Sequence, residues 1–141
     1  MNMSKNMQPI GYWLKHLDGL LEADLAAVLR DVGLDRRKWQ VLNTLVSGPL
    51  TPAELTAAMA PFDEADAVTA LLDLGWVSRI EGAFALTGAG RLGHTETAAR
   101  VRYARRRITN GISDEDYVAT VAVLERMATN LTTSSSPPRG W

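Results

Sequence analysis

The sequence contains no cysteine. That excludes disulfides, thiolate zinc sites and cysteine nucleophiles at once. Histidine is nearly as scarce, His16 and His94 being the only two, and no His/Asp/Glu spacing points to a metal site. No stretch approaches the roughly 18 uninterrupted apolar residues that cross a bilayer. The opening MNMSKNMQP lacks the apolar run of a secretion signal, so no membrane association is expected and the expected location is the cytoplasm. Aromatic residues make up only 6% of the chain, so Leu, Val and Ala must supply most of the core, and the four tryptophans stand out. Catalytic signatures are missing as well: no nucleophile–base pair, no metal-ligand spacing, no phosphate-binding glycine loop. GAGRLG (Gly88–Gly93) contains glycines, but it follows a strand of the expected hairpin and lacks the context of a dinucleotide-binding loop. The chain does not read as an enzyme and implies no cofactor.

What is present is an ordinary soluble bulk with unevenly placed charge. The 141 residues are 46% hydrophobic and 22% charged, enough for a single domain with a true core. Net charge is −1. A nucleic-acid binder needs a basic face rather than a basic sum, so the distribution of charge decides more than its total.

After a flexible start (residues 1–9), apolar residues recur at helical spacing from Ile10 through Trp13, Leu17, Leu21 and Leu25 to Val32, with Pro9 in the first turn and Gly33 at the end. In LDRRKWQVLNTLVSGP, Asp35 can cap a helix striped by Trp39, Leu42, Leu45 and Val46 that Gly48-Pro49 stops. TPAELTAAMAP opens with Thr51 as cap, Pro52 in the first helical position and Glu54 three residues on, and it ends by Pro61. Asp63 can cap a fourth helix with Val68, Leu71, Leu72 and Ala65 turned inward and Gly75 closing it. WVSRIEGAFAL alternates about Glu81-Gly82, a two-residue turn that suits a tight hairpin. Thr87 then caps a helix expected to run to about Asn110, and Ser113 with Asp116 opens a last helix striped by Tyr117, Val121, Leu124 and Leu131. The low-complexity TTSSSPPRGW, residues 132–141, is expected to be disordered.

The expected fold class is mainly α with a short β-hairpin wing: a winged helix-turn-helix over about residues 35–91, within one domain spanning 10–131. The outer helices, about 10–32 and 88–131, are too amphipathic to be left bare. A second copy of the chain would cover them, so a homodimer is expected.

LLDLGWVSR (Leu71–Arg79), LTGAGR (Leu86–Arg91) and GISDEDYVATVAVLERMATNL (Gly111–Leu131) occur in an order and spacing that resembles the MarR family of transcriptional regulators. They are similar to that family's recognition helix running into its wing, the start of its fifth helix, and its C-terminal dimerisation helix. The resemblance covers nearly everything from Ile10 to Leu131. It implies a dimer that places two recognition helices in successive major grooves of double-stranded DNA. It also implies a small-molecule pocket between the dimer region and the winged domain.

By that resemblance the residues expected at DNA are Ser47, Thr51, Asp66, Arg79 and Arg91. The chain departs from the family pattern where bases are normally read. Counting back from Gly75, positions that often carry a polar reader and two arginines hold Asp66, Ala67 and Leu71. The wing, usually longer and basic at its tip, shrinks to Glu81-Gly82. From Trp39 to Ser78 there is no Lys or Arg, against five carboxylates: Glu54, Asp63, Glu64, Asp66 and Asp73. Capping and dipole complementation account for the carboxylates in the first turn, whereas phosphate binding needs cations. Arg36, Arg37 and Lys38 are further possible phosphate contacts. RVRYARRR, with five arginines between Arg100 and Arg107, suggests a nucleic-acid patch as a motif; the favoured reading, since this region should sit by the dimer core, is a solvated face ion-paired to the SDEDY segment or to Asp18, Glu22 and Asp24.

For an effector, Trp13, His16, Leu17, Trp39 and His94, with Arg91 and Ala98 nearby, are expected to converge on a site for a small aromatic or anionic molecule. The other reading of these residues is plain core for the tryptophans and exposed or hydrogen-bonded histidines. Two functions therefore stay open: a MarR-like DNA-binding regulator acting as a ligand-responsive homodimer, or a winged-helix dimer with little DNA affinity that binds small molecules or proteins.

Overall fold

The structure is a computed structural model that describes residues 8–133. Residues 1–7 of the expected flexible start and most of the disordered tail expected from the sequence lie outside the described residues. The elements are α1 (Ile10–Asp31), α2 (Arg36–Leu45), α3 (Pro52–Met59), α4 (Ala65–Leu74), β1 (Val77–Ile80), β2 (Ala83–Leu86), α5 (Gly88–Arg105) and α6 (Asp114–Thr133). They fall into two compact units that divide after Ala104.

In the first unit the helix starts are set by local polar chemistry. Asp35 accepts the Lys38 N–H at 2.9 Å to begin α2. Thr51 and Glu54 form a reciprocal capping box at α3: the Thr51 hydroxyl accepts the Glu54 N–H at 3.2 Å, and the Glu54 carboxylate accepts the Thr51 N–H at 2.9 Å. That second bond, with the hydroxyl contact behind it, holds the Glu54 carboxyl below its ordinary pKa. Before α4, Asp63 accepts the Ala65 N–H at 3.0 Å, one residue ahead of the helix boundary.

The core of this unit is built by Leu29 of α1, Val41, Leu42 and Leu45 of α2, Leu55 of α3 and Leu71 of α4, all essentially solvent-free. Each such leucine contributes on the order of 2 kcal/mol through burial. On α2, Val41 takes the buried place expected for Val46, which lies at the C-cap and is exposed. On α4 the inward face is Ala67, Val68 and Leu71, with Ala65 exposed. Ala67 is therefore a packing residue and not an outward reading position. The correction follows from helix phase: residues 67, 68 and 71 share one face, and Ala65 projects from the first turn away from it.

The wing is the expected hairpin. Val77 pairs with Leu86 and Ile80 with Ala83. Glu81 (φ 52°) and Gly82 (φ 77°) both take the left-handed backbone that a two-residue type I′ turn needs. A single bridge adds Leu50 to the far side of β2, with Phe84 N–H donating to the Leu50 carbonyl at 2.8 Å.

Thr87 joins wing to helix. Its hydroxyl donates to the Gly75 carbonyl at 2.6 Å and accepts the Gly90 N–H at 3.0 Å, while its own N–H donates to the Trp76 carbonyl at 3.0 Å. α5 ends at Arg105, five residues before the expected Asn110. The chain from there makes bonds three residues back, Ile108 to Arg105 and Ile112 to Thr109, ahead of the left-handed Gly111. β-branched Ile108 and Thr109 favour leaving the α-helix earlier than the glycine alone would require.

The second unit contains α6. Ser113 caps it through the Asp116 N–H at 3.1 Å, and the helix continues to Thr133, into the segment expected to be disordered. Tyr117, Val118, Val121, Met127 and Leu131 are all exposed. Among the described residues no helix is long and apolar enough to cross a membrane, and no group of His, Asp and Glu is placed to hold a metal ion.

Candidate functional site

The turn between α3 and α4 presents α4 with three outward polar side chains, Asp66, Thr69 and Asp73, spaced one helical turn apart and exposed. None carries positive charge. Of the residues expected at DNA, Ser47 is exposed in the turn after α2, Arg79 is exposed on β1, and Arg91 is exposed in the first turn of α5. Arg79 rests over the Phe84 ring directly across the hairpin, 5.4 Å from its centroid. Thr51 is exposed but largely committed. Its N–H and the accepting side of its hydroxyl serve the capping box, which leaves only the hydroxyl proton to donate.

The cations at the start of α2 are engaged too. Arg36 pairs with Glu22 of α1, Lys38 approaches Asp35 at 3.6 Å, and Arg37 lies 4.0 Å above the Phe62 ring. Glu22 thus answers Arg36 rather than the arginine-rich end of α5, where Arg100 and Arg102 are exposed. Thr69 and Phe62 were not marked by sequence reasoning. Thr69 falls a turn after Asp66, which was a legible signal; the Arg37–Phe62 stack joins residues far apart in the chain and was not.

The five residues expected around an effector form two groups. Tyr12, Trp13 and His16 make one aromatic cluster near the start of α1, with Tyr12–Trp13 centroids 5.1 Å apart and Tyr12–His16 stacked at 5.6 Å. Trp13 is 48% exposed, and Leu17 is exposed a turn further on. The other group is Trp39 and His94. Trp39 is buried at 8% exposure, and the His94 ring stacks on it at 5.1 Å and 18°. His94 Nε2–H donates to Asn43 Oδ1 at 2.8 Å. Asn43 was missed, although it follows Trp39 by four residues and so shares its helix face.

Burial lowers the His94 pKa, so folding favours the neutral imidazole, while the Nε2–H bond to Asn43 is open to either protonation state. The sign follows from linkage: the unfolded chain binds the proton more readily, so the contribution is complete above the ordinary value of 6.5 and is lost as pH falls below it. The urea midpoint of the native protein should therefore drop between about pH 7.5 and 5.5 by more than that of His94→Phe, which keeps the stack and cannot titrate. Equal drops would exclude His94 as the titrating group.

A helix-turn-helix followed by a two-stranded wing makes this a winged helix-turn-helix protein. No family model matches the sequence, and no curated protein matches it. Solved structures do. A MarR family protein of Mycobacterium tuberculosis in complex with DNA is 28% identical, with a TM-score of 0.71 over 85% of this chain and 98% of that one. The same protein in complex with p-aminosalicylic acid is 26% identical, with a TM-score of 0.66 over 86% and 99%. A MarR family transcriptional regulator from Silicibacter pomeroyi is 20% identical, with a TM-score of 0.71 over 94% and 99%. The chain has the fold of the MarR family of transcriptional regulators.

Proposed function

We propose that this chain is a DNA-binding transcriptional regulator that acts as a homodimer and responds to a small aromatic or anionic effector. The observation that carries the reading is the complete winged helix-turn-helix, which matches nearly the whole length of a relative solved on DNA. Exposed apolar residues on α1 (Ile10, Trp13, Leu14, Leu17, Leu20) and on α6 (Val118, Val121, Met127) are more than a monomer ordinarily leaves in water. A second copy is the economical cover. Trp13, His16 and Leu17 would then complete an effector site with Trp39 and His94 only in that assembly.

A second reading rests on one specific observation: the outward face of α4 carries Asp66 and Asp73 and no base. In that reading the winged shape is kept and duplex affinity is weak, and the dimer serves as a ligand- or protein-binding module.

Fluorescence anisotropy against a randomised duplex pool, at about 50 and 200 mM salt, separates the two, because affinity falls steeply with salt when several phosphates are neutralised. The regulator reading expects binding at low salt that weakens by at least tenfold across that range. It also expects Arg79→Ala to weaken binding to every sequence and to lower the salt slope by about one. No binding at about 50 mM salt would leave only the second reading.

A further inference from the structure

Phe84 is held from two sides. Its side chain lies in the core of the first unit at 8% exposure. Its N–H donates to the Leu50 carbonyl at 2.8 Å, and its carbonyl accepts the Leu50 N–H at 3.0 Å. Across the hairpin its partner is Arg79. Both backbone groups of Phe84 point to Leu50, so the pair with Arg79 is a non-hydrogen-bonded one, the kind in which side chains stand closest. The Arg79 guanidinium lies 5.4 Å from the centre of the Phe84 ring, within the range of a cation–π contact.

That contact fixes the arginine without using up its donors. Strand alternation puts Arg79 on the same face of the hairpin as Val77, Phe84 and Leu86, which are all buried, yet Arg79 itself is exposed. Among the described residues no carboxylate pairs with it. A guanidinium resting on a ring still offers its in-plane N–H groups. It also gives up less rotamer freedom when an anion arrives than a loose arginine does. The tip of the wing has the opposite character. Its turn is Glu81-Gly82, and the exposed Glu81 carboxylate is repelled by the negative potential of a DNA minor groove. Arg79 stands back from that tip, behind the Ile80–Ala83 pair.

We propose that Phe84 is a positioning residue for DNA binding: its ring holds the Arg79 guanidinium poised to clamp a backbone phosphate, so that the wing grips the duplex by its flank and does not read the minor groove. The proposal rests on the regulator reading of the preceding section. It adds to that reading a second residue, which acts only through Arg79, and a limit on what the wing can recognise.

The test has one arm without DNA and one with it. In proton–nitrogen NMR of the full chain, ring-current shielding should set the Arg79 Nε–H signal upfield of the other arginines, and Phe84→Leu should return it toward them. The second arm is a double-mutant cycle of Phe84→Leu and Arg79→Lys, read by anisotropy on the randomised duplex pool. All four proteins keep the positive charge, so their salt slopes should agree. Arg79→Lys, at an exposed site, should weaken binding about two- to fivefold, the change in the poised population that one exposed cation–π contact sustains. Within Phe84→Leu the same substitution should change affinity little, and the urea midpoint of Phe84→Leu reports that it is folded under the assay conditions. Arg79→Ala should lose the same factor on pools randomised within A·T pairs and within G·C pairs. The proposal is overturned by an unshifted Arg79 signal in the native chain or by additive effects in the cycle. It is equally overturned by an Arg79→Ala loss about tenfold larger on the A·T pool, which would place Arg79 in the minor groove. No binding by the native chain at about 50 mM salt would remove the regulator reading and this proposal with it; an upfield Arg79 signal would then mark the stack as a cover for the core alone.

Discussion

Gly90→Ala is expected to cost about 3 kcal/mol or more of stability, among the larger effects of overpacking, read as a lowered urea midpoint with unchanged slope. A Cβ at Gly90 would collide with the backbone carbonyl of Trp76, at the point where that carbonyl already accepts the Thr87 N–H at 3.0 Å. The backbone there has no slack. Trp76 N–H is bonded to the Leu71 carbonyl at 3.0 Å, and Thr87 ties Gly75 to Gly90. Gly93→Ala is the instructive partner, because its Cβ would meet the outer edge of the Trp76 ring instead. A side chain can be trimmed and a carbonyl cannot. Gly93→Ala should therefore be partly restored by Trp76→Leu in a double-mutant cycle, whereas Gly90→Ala should not. Full rescue of both, or a cost below about 1 kcal/mol for Gly90→Ala, would mean that the junction between α4 and α5 is looser than its geometry implies. That junction sets the angle at which α4 is presented, so it bears on function as well as on stability.

The second large effect is a gain. Asp66→Lys combined with Asp73→Lys exchanges two negative charges for two positive ones on the outward face of α4. Each new phosphate contact should steepen the dependence of affinity on salt by about 0.9 in the logarithmic slope. At about 0.1 M salt the double variant should bind duplex DNA ten- to a hundredfold more tightly than the native chain, by anisotropy on the same randomised pool. A loss of binding would carry the opposite meaning: the carboxylates would then be accepting from base edges, as a carboxylate can from cytosine N4. An unchanged affinity would show that α4 does not approach the duplex. Both sites are exposed, so Asp73→Lys should cost no more than a few tenths of a kcal/mol, while Asp66→Lys, which sets a cation in the first turn of α4, should cost about 1 kcal/mol.

The helix starts and the wing were legible because they depend on neighbours in the chain. Asp35, the Thr51–Glu54 pair, Ser113 and the Glu81-Gly82 turn each act within a few residues, and each does in the structure what its local chemistry implies. The helix ends were less legible. α5 unwinds at Arg105 and α6 persists to Thr133, since fraying depends on small propensity differences that no single breaker controls. The candidate DNA contacts could be named by position, but not their availability. That Thr51 is occupied by its cap follows from its spacing to Glu54, but that Arg36 is held by Glu22 and Arg37 by Phe62 depends on partners that sequence spacing does not reveal.

The same division runs through the tryptophans and the small residues. Periodicity alone placed Trp13 and Trp39 on apolar helix faces, and composition alone excluded disulfides and thiolate metal sites. Which of those faces is covered was decided by packing: Trp39 is shut in by His94, while Trp13 stands open on α1. Ala67 went into the core and Ala65 into water because the phase of α4 is set by what it packs against, not by its composition. Gly90 and Gly93 look in sequence like part of a loop motif, and only the approach of Trp76 shows why a side chain has no room there. Local hydrogen bonds and turn preferences act over three or four residues and so can be read along the chain. Burial, stacking and close approach join residues far apart in it, and they exist only once the chain has folded.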